Sequence, residues 1–233
     1  MNKVNASFNL LKRKLAHLSE LFFIQSKGGC VLKMNEHYYS SNPSVESKPF
    51  TFEYKLKGHS FIFTSDLGVF SKSEIDFGSK LLIDSIMMSA ASGNILDVGC
   101  GYGPIGLTLA KENPDRRVEM VDVNERALQL ARKNSEQNKV DNVLIYQSNL
   151  FENVKDRSFA IIVSNPPIRA GKKVVHEIFE QSYQHLKDNG ELWIVIQKKQ
   201  GAPSAIEKLK SLFNEVEVVA KKKGYYIIKS KKS

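Results

Sequence analysis

The chain has only two cysteines, one tryptophan and no long apolar run among its 233 residues, and each shortage excludes something. Cys30 and Cys100 stand far apart and form neither a disulfide framework nor a ligand spacing, so no metal is implied and a reducing compartment is the default. The apolar stretches fall well short of a membrane span, and the opening MNKVNASFNLLKRKLAHLSELFFIQ lacks both a long apolar region and a small-residue cleavage site. A soluble, cytoplasmic protein is expected. What is present is a composition 42% hydrophobic, which suits one α/β domain with a sizeable core and a small addition.

The formal charge of +9 invites a nucleic-acid partner, but its distribution is uneven. Residues 1–33 hold six basic groups and one acid, so residues 34–233 carry 28 minus 24, or +4. That remainder clusters at Lys172-Lys173, Lys198-Lys199, Lys221-Lys222-Lys223 and a tail of Lys229, Lys231 and Lys232. Such runs form solvated faces unless something else on the chain needs them. Residues 1–33 read as an N-terminal extension, either disordered or translated leader ahead of a true start at Met34; the alternatives are a basic RNA-contacting arm and a targeting peptide, the latter disfavoured by the scarcity of serine and by a single arginine.

From Phe50, apolar residues alternate through Phe52, Tyr54 and Leu56 and again at Phe61 and Phe63, which predicts two short strands joined at Lys57-Gly58. Residues 34–72 therefore form a small β addition ahead of a main domain at 73–233. Helical spacing of Ile75, Leu81, Leu82 and Ile86 opens that domain, and strands and helices then alternate to the end. Repeated βα units predict a mostly parallel sheet with helices on both faces. Lys222-Lys223-Gly224 leaves no room for a crossover helix, so the last two strands should pair as an antiparallel hairpin.

In LDVGCGYGPIG, glycines at 99, 101, 103 and 106 follow a buried-strand pattern and precede a helix whose first turn takes Pro104. Two ligands fit this spacing. Gly101 to Gly106 is formally a dinucleotide fingerprint, and Asp122 lies where that fingerprint wants its ribose acid. Asp97, just ahead of the glycines, suits instead a ligand carrying an ammonium and a sulfonium, S-adenosylmethionine. Farther on, IIVSNPPIRAGK runs a strand into Asn165, Pro166 and Pro167; by itself this is a rigid loop terminator. His59, His176, His185, Cys100 and Trp193 are read as surface or packing residues.

LDVGCGYGPIG, VDVNERALQLARKN and SNPPI together resemble the successive motifs of class I S-adenosylmethionine-dependent methyltransferases, and FTSDLGVFSKSEIDFGSKLL resembles the RsmC-type ribosomal RNA guanine-N2 methyltransferases and their single-domain relatives. The resemblance covers roughly residues 50–230. It implies a Rossmann-like α/β fold with a seven-stranded, mostly parallel sheet. It also implies that Asp97, Gly99, Gly101 and Gly103 surround the methionine part of the cofactor, that Asp122 accepts from both ribose hydroxyls, and that Asn124 lies beside the adenosine. Asn149 stands where the family commonly has an aspartate receiving the adenine amino group. An amide oxygen accepts the same bond without charge assistance.

On this resemblance Asn165, Pro166 and Pro167 become an amine clamp and Asn165 also borders the cofactor. The Asn165 side-chain oxygen and the Pro166 carbonyl would accept from the two N–H groups of a nucleobase amine, aiming its lone pair at the methyl group. No strong base is needed, because the methylated nitrogen is cationic and loses its proton to water. Phe63, Thr64, Phe70, Ser71 and Ile168 are the candidate substrate-pocket residues, Ile168 standing where relatives place an aromatic ring. The implied substrate is guanine N2 in ribosomal RNA, with the basic clusters as phosphate contacts. Alternatives are a protein glutamine-amide methyltransferase and an RNA-binding methyltransferase fold without catalysis, the latter suggested by Asn149 and Ala160. A nicotinamide dehydrogenase is disfavoured by the Asn-Pro-Pro position.

Overall fold

The computed structural model describes residues 46–67, 69, 74–88, 91–167 and 171–233, together with two short strands, β1 (Gln25–Ser26) and β2 (Gly29–Cys30). The chain divides into two compact units, Met1–Glu36 and His37–Ser233. In the first, β1 and β2 pair antiparallel with Gln25 opposite Cys30. Everything below concerns the second.

That unit opens with the hairpin the alternation predicts, β3 (Phe50–Leu56) and β4 (His59–Ser65), paired antiparallel. Its turn is Lys57-Gly58, both at positive φ (44° and 84°), the geometry whose twist matches a hairpin. After helix α1 (Phe77–Ser85) come β5 (Ile95–Val98), α2 (Pro104–Glu112), β6 (Val118–Asp122), α3 (Glu125–Gln137), β7 (Val143–Gln147), β8 (Phe159–Ser164), α4 (Lys172–His185), β9 (Leu186–Gln197), α5 (Ala202–Lys210), β10 (Glu215–Lys222) and β11 (Tyr225–Lys231). One seven-stranded sheet runs β10-β11-β9-β8-β5-β6-β7. Strands β5 to β9 are mutually parallel, and β11 and β10 are antiparallel, as the short link at Lys222-Lys223-Gly224 requires.

Both faces of the sheet are buried, so its central strands are apolar at nearly every position. Ile95, Ile161, Val163, Trp193 and Val195 join one core with α1, α2, α3 and the hairpin. Leu96, Ile162, Leu192, Ile194 and Ile196 join the other with α4 and α5. Trp193 is core, as expected, its Nε1 donating to Glu191 Oε2 at 2.9 Å. Among the described residues no helix is long and apolar enough to cross a membrane.

The hairpin is fastened by two asparagines that act as a false strand. Asn134 Oδ1 accepts from Thr64 N (2.7 Å) while its Nδ2 donates to Thr64 O (3.0 Å). Asn138, one helical turn on, repeats this at Ile62, accepting from its N–H and donating to its carbonyl, both at 2.8 Å. Four helical residues rise about 6 Å and two strand residues about 6.7 Å, so the two spacings match and the exposed edge of β4 is satisfied. Asn134 Nδ2 also donates to Tyr102 O (2.8 Å), inside the glycine loop.

Each amide satisfies three backbone partners, Asn138 also donating to Asn134 O, but Asn134 is fully buried and Asn138 half-buried, so removing Asn134 should cost more. Asn134→Ala is expected to destabilise by about 3 kcal/mol and lower Tm by roughly 6–12 °C, and Asn138→Ala by about 1 kcal/mol. Thermal melts of the two variants check this; equal losses would contradict it.

Candidate functional site

A cavity of about 310 Å³ opens beyond the carboxyl ends of β5, β6 and β8, where the strand order reverses and α/β sheets bind ligands. Its floor is the loop from Gly99 to Pro104. Gly99 and Gly101 lie at φ 76° and 58°, and a Cβ on either would meet nothing within 4 Å, so both present bare backbone to the cavity. Gly103, the N-cap of α2 at φ 100°, serves packing: a Cβ there would crowd Leu107 and Met120 at 3.0 Å. Gly106 is tighter still, with Met120 at 2.7 Å and Asp97 Oδ2 at 3.0 Å, so α2 can lie close against the sheet only because position 106 has no side chain.

This loop and the first turn of α2 spend their hydrogen-bond donors internally. Gly99 and Cys100 donate to Val121 O, Gly101 to Asp122 Oδ2 (2.8 Å), Gly103 to Cys100 O, Gly106 to Asp97 Oδ2 (2.8 Å) and Leu107 to Gly103 O. Pro104 has none to give. A pyrophosphate needs such donors turned outward. Here they face inward onto carbonyls and two carboxylates, which argues against a dinucleotide more strongly than the glycine spacing argued for one.

The carboxylates supply the electrostatic character. Asp97 is fully buried on the α2 side of β5, behind the cavity wall; one oxygen takes the Gly106 N–H, and Oδ1 has no hydrogen-bond partner among the described residues. Burial, opposed by the Gly106 bond and reinforced by the charge of Asp122, pushes its pKa up to about 7. Asp122 lines the cavity with Oδ2 on Gly101 N and Oδ1 on Asn124 N (2.9 Å), and burial raises its pKa despite those bonds. Two desolvated acids favour a ligand that brings positive charge and disfavour an anion. S-adenosylmethionine fits, with its sulfonium and ammonium. The backbone of Gly99 and Gly101 would take its methionine part, the spare lone pairs of Asp122 its ribose hydroxyls, and Asp97 would act from behind the wall.

Farther along the cavity, Asn124 caps α3 through Ala127 N (3.3 Å). Asn149 lies at the exposed rim with Nδ2 on Glu152 Oε1 (3.2 Å), which turns the carbonyl end of its amide away from that contact. At the other end Asn165 leaves β8 between the two cores. Its Nδ2 donates to Ser79 Oγ (2.9 Å) and Asp76 Oδ2 (3.3 Å), both at the start of α1. Pro167 lines the cavity, and Pro166 is buried beside it.

The expected substrate pocket needs correction. Phe63 is fully buried in an aromatic cluster with Phe52, Phe61 and Tyr102, and Thr64 is held through its backbone by Asn134 and through Oγ1 by Gln137. Alternation along β4 turns the Phe63 side chain inward against the main domain, so neither residue reaches the cavity. Phe70, Ser71 and Ile168 lie outside the described residues. Asp76 and Ser79, which do line the cavity, were not anticipated from the sequence. The one available signal was the run Asp76-Phe-Gly-Ser79, a capping residue at the head of a helical pattern.

Comparison with known proteins agrees with this geometry. A family model described as methyltransferase small domain matches residues 60–229. YbxB of Bacillus subtilis is 66% identical over 200 residues, covering 85% of this chain and 100% of that protein. Ribosomal RNA small subunit methyltransferase C of Haemophilus influenzae (strain PittGG) is 33% identical over 217 residues, covering 90% of this chain but 63% of that protein's length. Among solved structures, a Thermus thermophilus 16S rRNA N2 G1207 methyltransferase (RsmC), in complex with AdoMet and guanosine, superposes with a TM-score of 0.72 at 22% identity, over 98% of this chain and 62% of that one; the likeness shows the class I methyltransferase fold. The family match begins on β4 and ends on β11, spanning the cavity, both acidic strand ends and the Asn-Pro-Pro turn, and the chain belongs to the methyltransferase small domain family.

Proposed function

We propose that the chain is an S-adenosylmethionine-dependent methyltransferase acting on an exocyclic nucleobase amine, guanine N2 in ribosomal RNA. The observation that carries this reading is the state of Asn165. Its amide nitrogen is engaged by Asp76 and Ser79, which leaves the carbonyl oxygen as the end of the amide available to a substrate N–H. When bound, the cofactor supplies an electrophilic methyl group on sulfur. Asn165 Oδ1, with the Pro166 carbonyl, would accept from the amine and draw its nitrogen toward tetrahedral geometry. The two prolines hold these acceptors on a stiff turn.

RNA as substrate is supported by charge placement. Lys172 and Lys173 open α4, Lys198 and Lys199 follow β9, and Lys221 to Lys223 close the β10–β11 turn; all seven are exposed. Lys198 N donates to Gly224 O (2.8 Å), which joins two of these clusters at the carboxyl edge of the sheet from which Asn165 emerges. Lys208, Lys229 and Lys231, by contrast, are paired with Glu180, Glu217 and Glu215. Clustered cations at this edge of the sheet suit phosphates. The RsmC relatives' names and the T. thermophilus protein's N2 G1207 target point to the same substrate.

Calorimetry is expected to show S-adenosylmethionine binding and no NADH binding; the opposite result ends this reading. Binding a cation favours ionised Asp97, so affinity should rise with pH through about 7 and level off above it. Between pH 6 and 8 the ionised fraction goes from about a tenth to about nine tenths, so the gain is roughly tenfold, and Asp97→Asn should flatten it. Asn165→Ala is expected to reduce tritiated methyl transfer to unmodified small-subunit RNA by at least roughly 100-fold with cofactor Kd within about threefold, and Asp122→Ala to weaken cofactor binding first. Transfer to a release factor in place of RNA would favour the glutamine-amide reading. Binding of cofactor and RNA without transfer to either would favour the inactive fold.

A further inference from the structure

Asn165 can serve as an acceptor only if its amide is held one way round. An asparagine side chain is nearly symmetric in shape, and a flip would present Nδ2 to the incoming amine, setting donor against donor. What fixes the orientation lies 89 residues earlier in the chain. Asp76 is the N-cap of α1: its Oδ1 takes Gly78 N (2.8 Å) and Ser79 N (3.2 Å), and its Oδ2 is turned to Asn165 Nδ2. A carboxylate accepts and does not donate, so the group facing it must be the NH2 end of the amide. Ser79, three residues on and on the same helical face, takes Nδ2 at 2.9 Å and is itself 4% exposed.

The close approach is built in by a glycine. A Cβ on Gly78 would lie 2.8 Å from Tyr225 Cε1, so α1 reaches this position against β11 only with glycine there. The Tyr225 and Phe77 rings meet tilted at 50° with centroids 5.6 Å apart, and Lys223 Nζ lies 4.8 Å from the Phe77 ring centre, which seats the N-terminus of α1 from the outer side. Cap, serine and asparagine thus converge from two elements on one amide.

We propose that Asp76 and Ser79 are positioning residues for methyl transfer, locking the Asn165 amide with its oxygen toward the substrate amine. This rests on the reading of Asn165 as the amine's acceptor. Asp76→Asn separates positioning from capping, because asparagine caps a helix as well as aspartate does while its own NH2 then opposes that of Asn165. The expected result for Asp76→Asn is a kcat for RNA methylation lower by roughly 30- to 100-fold, with RNA KM and cofactor Kd within about threefold and Tm within about 2 °C. Ser79→Ala is expected to lower kcat by roughly 5- to 10-fold with the same constancy elsewhere, and the double variant should be no slower than Asn165→Ala. A kcat loss matched by a loss of cofactor affinity or Tm would make Asp76 merely structural and overturn the proposal. If Asp76→Asn does not fold, Ser79→Ala decides alone, and an unchanged kcat overturns it. Wild-type transfer by Asn165→Ala would sink the acceptor reading itself, whereas an inactive Asn165→Ala beside fully active Asp76→Asn and Ser79→Ala would leave that reading standing and remove only the positioning role.

Discussion

Asp97 and Asp122 lie on adjacent parallel strands, and they take backbone N–H groups from the first turn of α2 and from the glycine loop respectively. Those two bonds determine much of what surrounds them. They fold the loop down onto the sheet, start α2 against β5 and β6, and use donors that would otherwise face a phosphate. They also bring two carboxylates into a region where both are desolvated and their pKa values raised. The same glycine spacing that in other folds makes an anion cradle here makes a cavity whose unmet need is positive charge. Cofactor class follows from the direction the N–H groups point, which is a property of the loop and its two acids together.

A second set of bonds ties the hairpin and α1 to this region. Asn134 joins α3 to β4 and, through Tyr102 O, to the glycine loop, so the N-terminal hairpin is part of the main domain's core. Helix α1 packs against β11 through the bare face of Gly78 and delivers Asp76 and Ser79 to Asn165. The hairpin thus supports the cavity floor, and α1 supports Asn165.

Features governed by short-range rules were legible in the sequence. The Lys57-Gly58 turn, the Pro104 helix start and the link at Lys222-Lys223-Gly224 fall where local chemistry puts them, and β/α alternation yields the sheet's parallel core and its antiparallel end. Features that depend on distant partners were not. Asn134, in the last turn of α3, and Asn138, at its C-cap, read as residues that merely end a helix, and only the edge of β4, about 70 residues away, gives them a further purpose. Asp76 reads as a cap and nothing more until Asn165 is brought beside it. Alternation does not state what a buried residue packs against: Phe63 meets Tyr102, while Thr64, on the opposite face, is held at the strand edge by Asn134 and Gln137 of α3. Asp97 was recognised as important, but its seclusion behind the wall depends on Gly106 admitting α2 so closely.

The central claim is that this cavity presents an acceptor to an amine on a guanine, beside a cation-seeking cofactor site. The most direct measurement is nucleoside mass spectrometry of small-subunit ribosomal RNA from cells lacking the gene, before and after incubation with the purified protein and S-adenosylmethionine. One new N2-methylguanosine is expected, formed by the wild-type protein and absent with Asn165→Ala. A methyl group on a ring carbon or a ribose oxygen, neither of which an amide acceptor at Asn165 would activate, would contradict it.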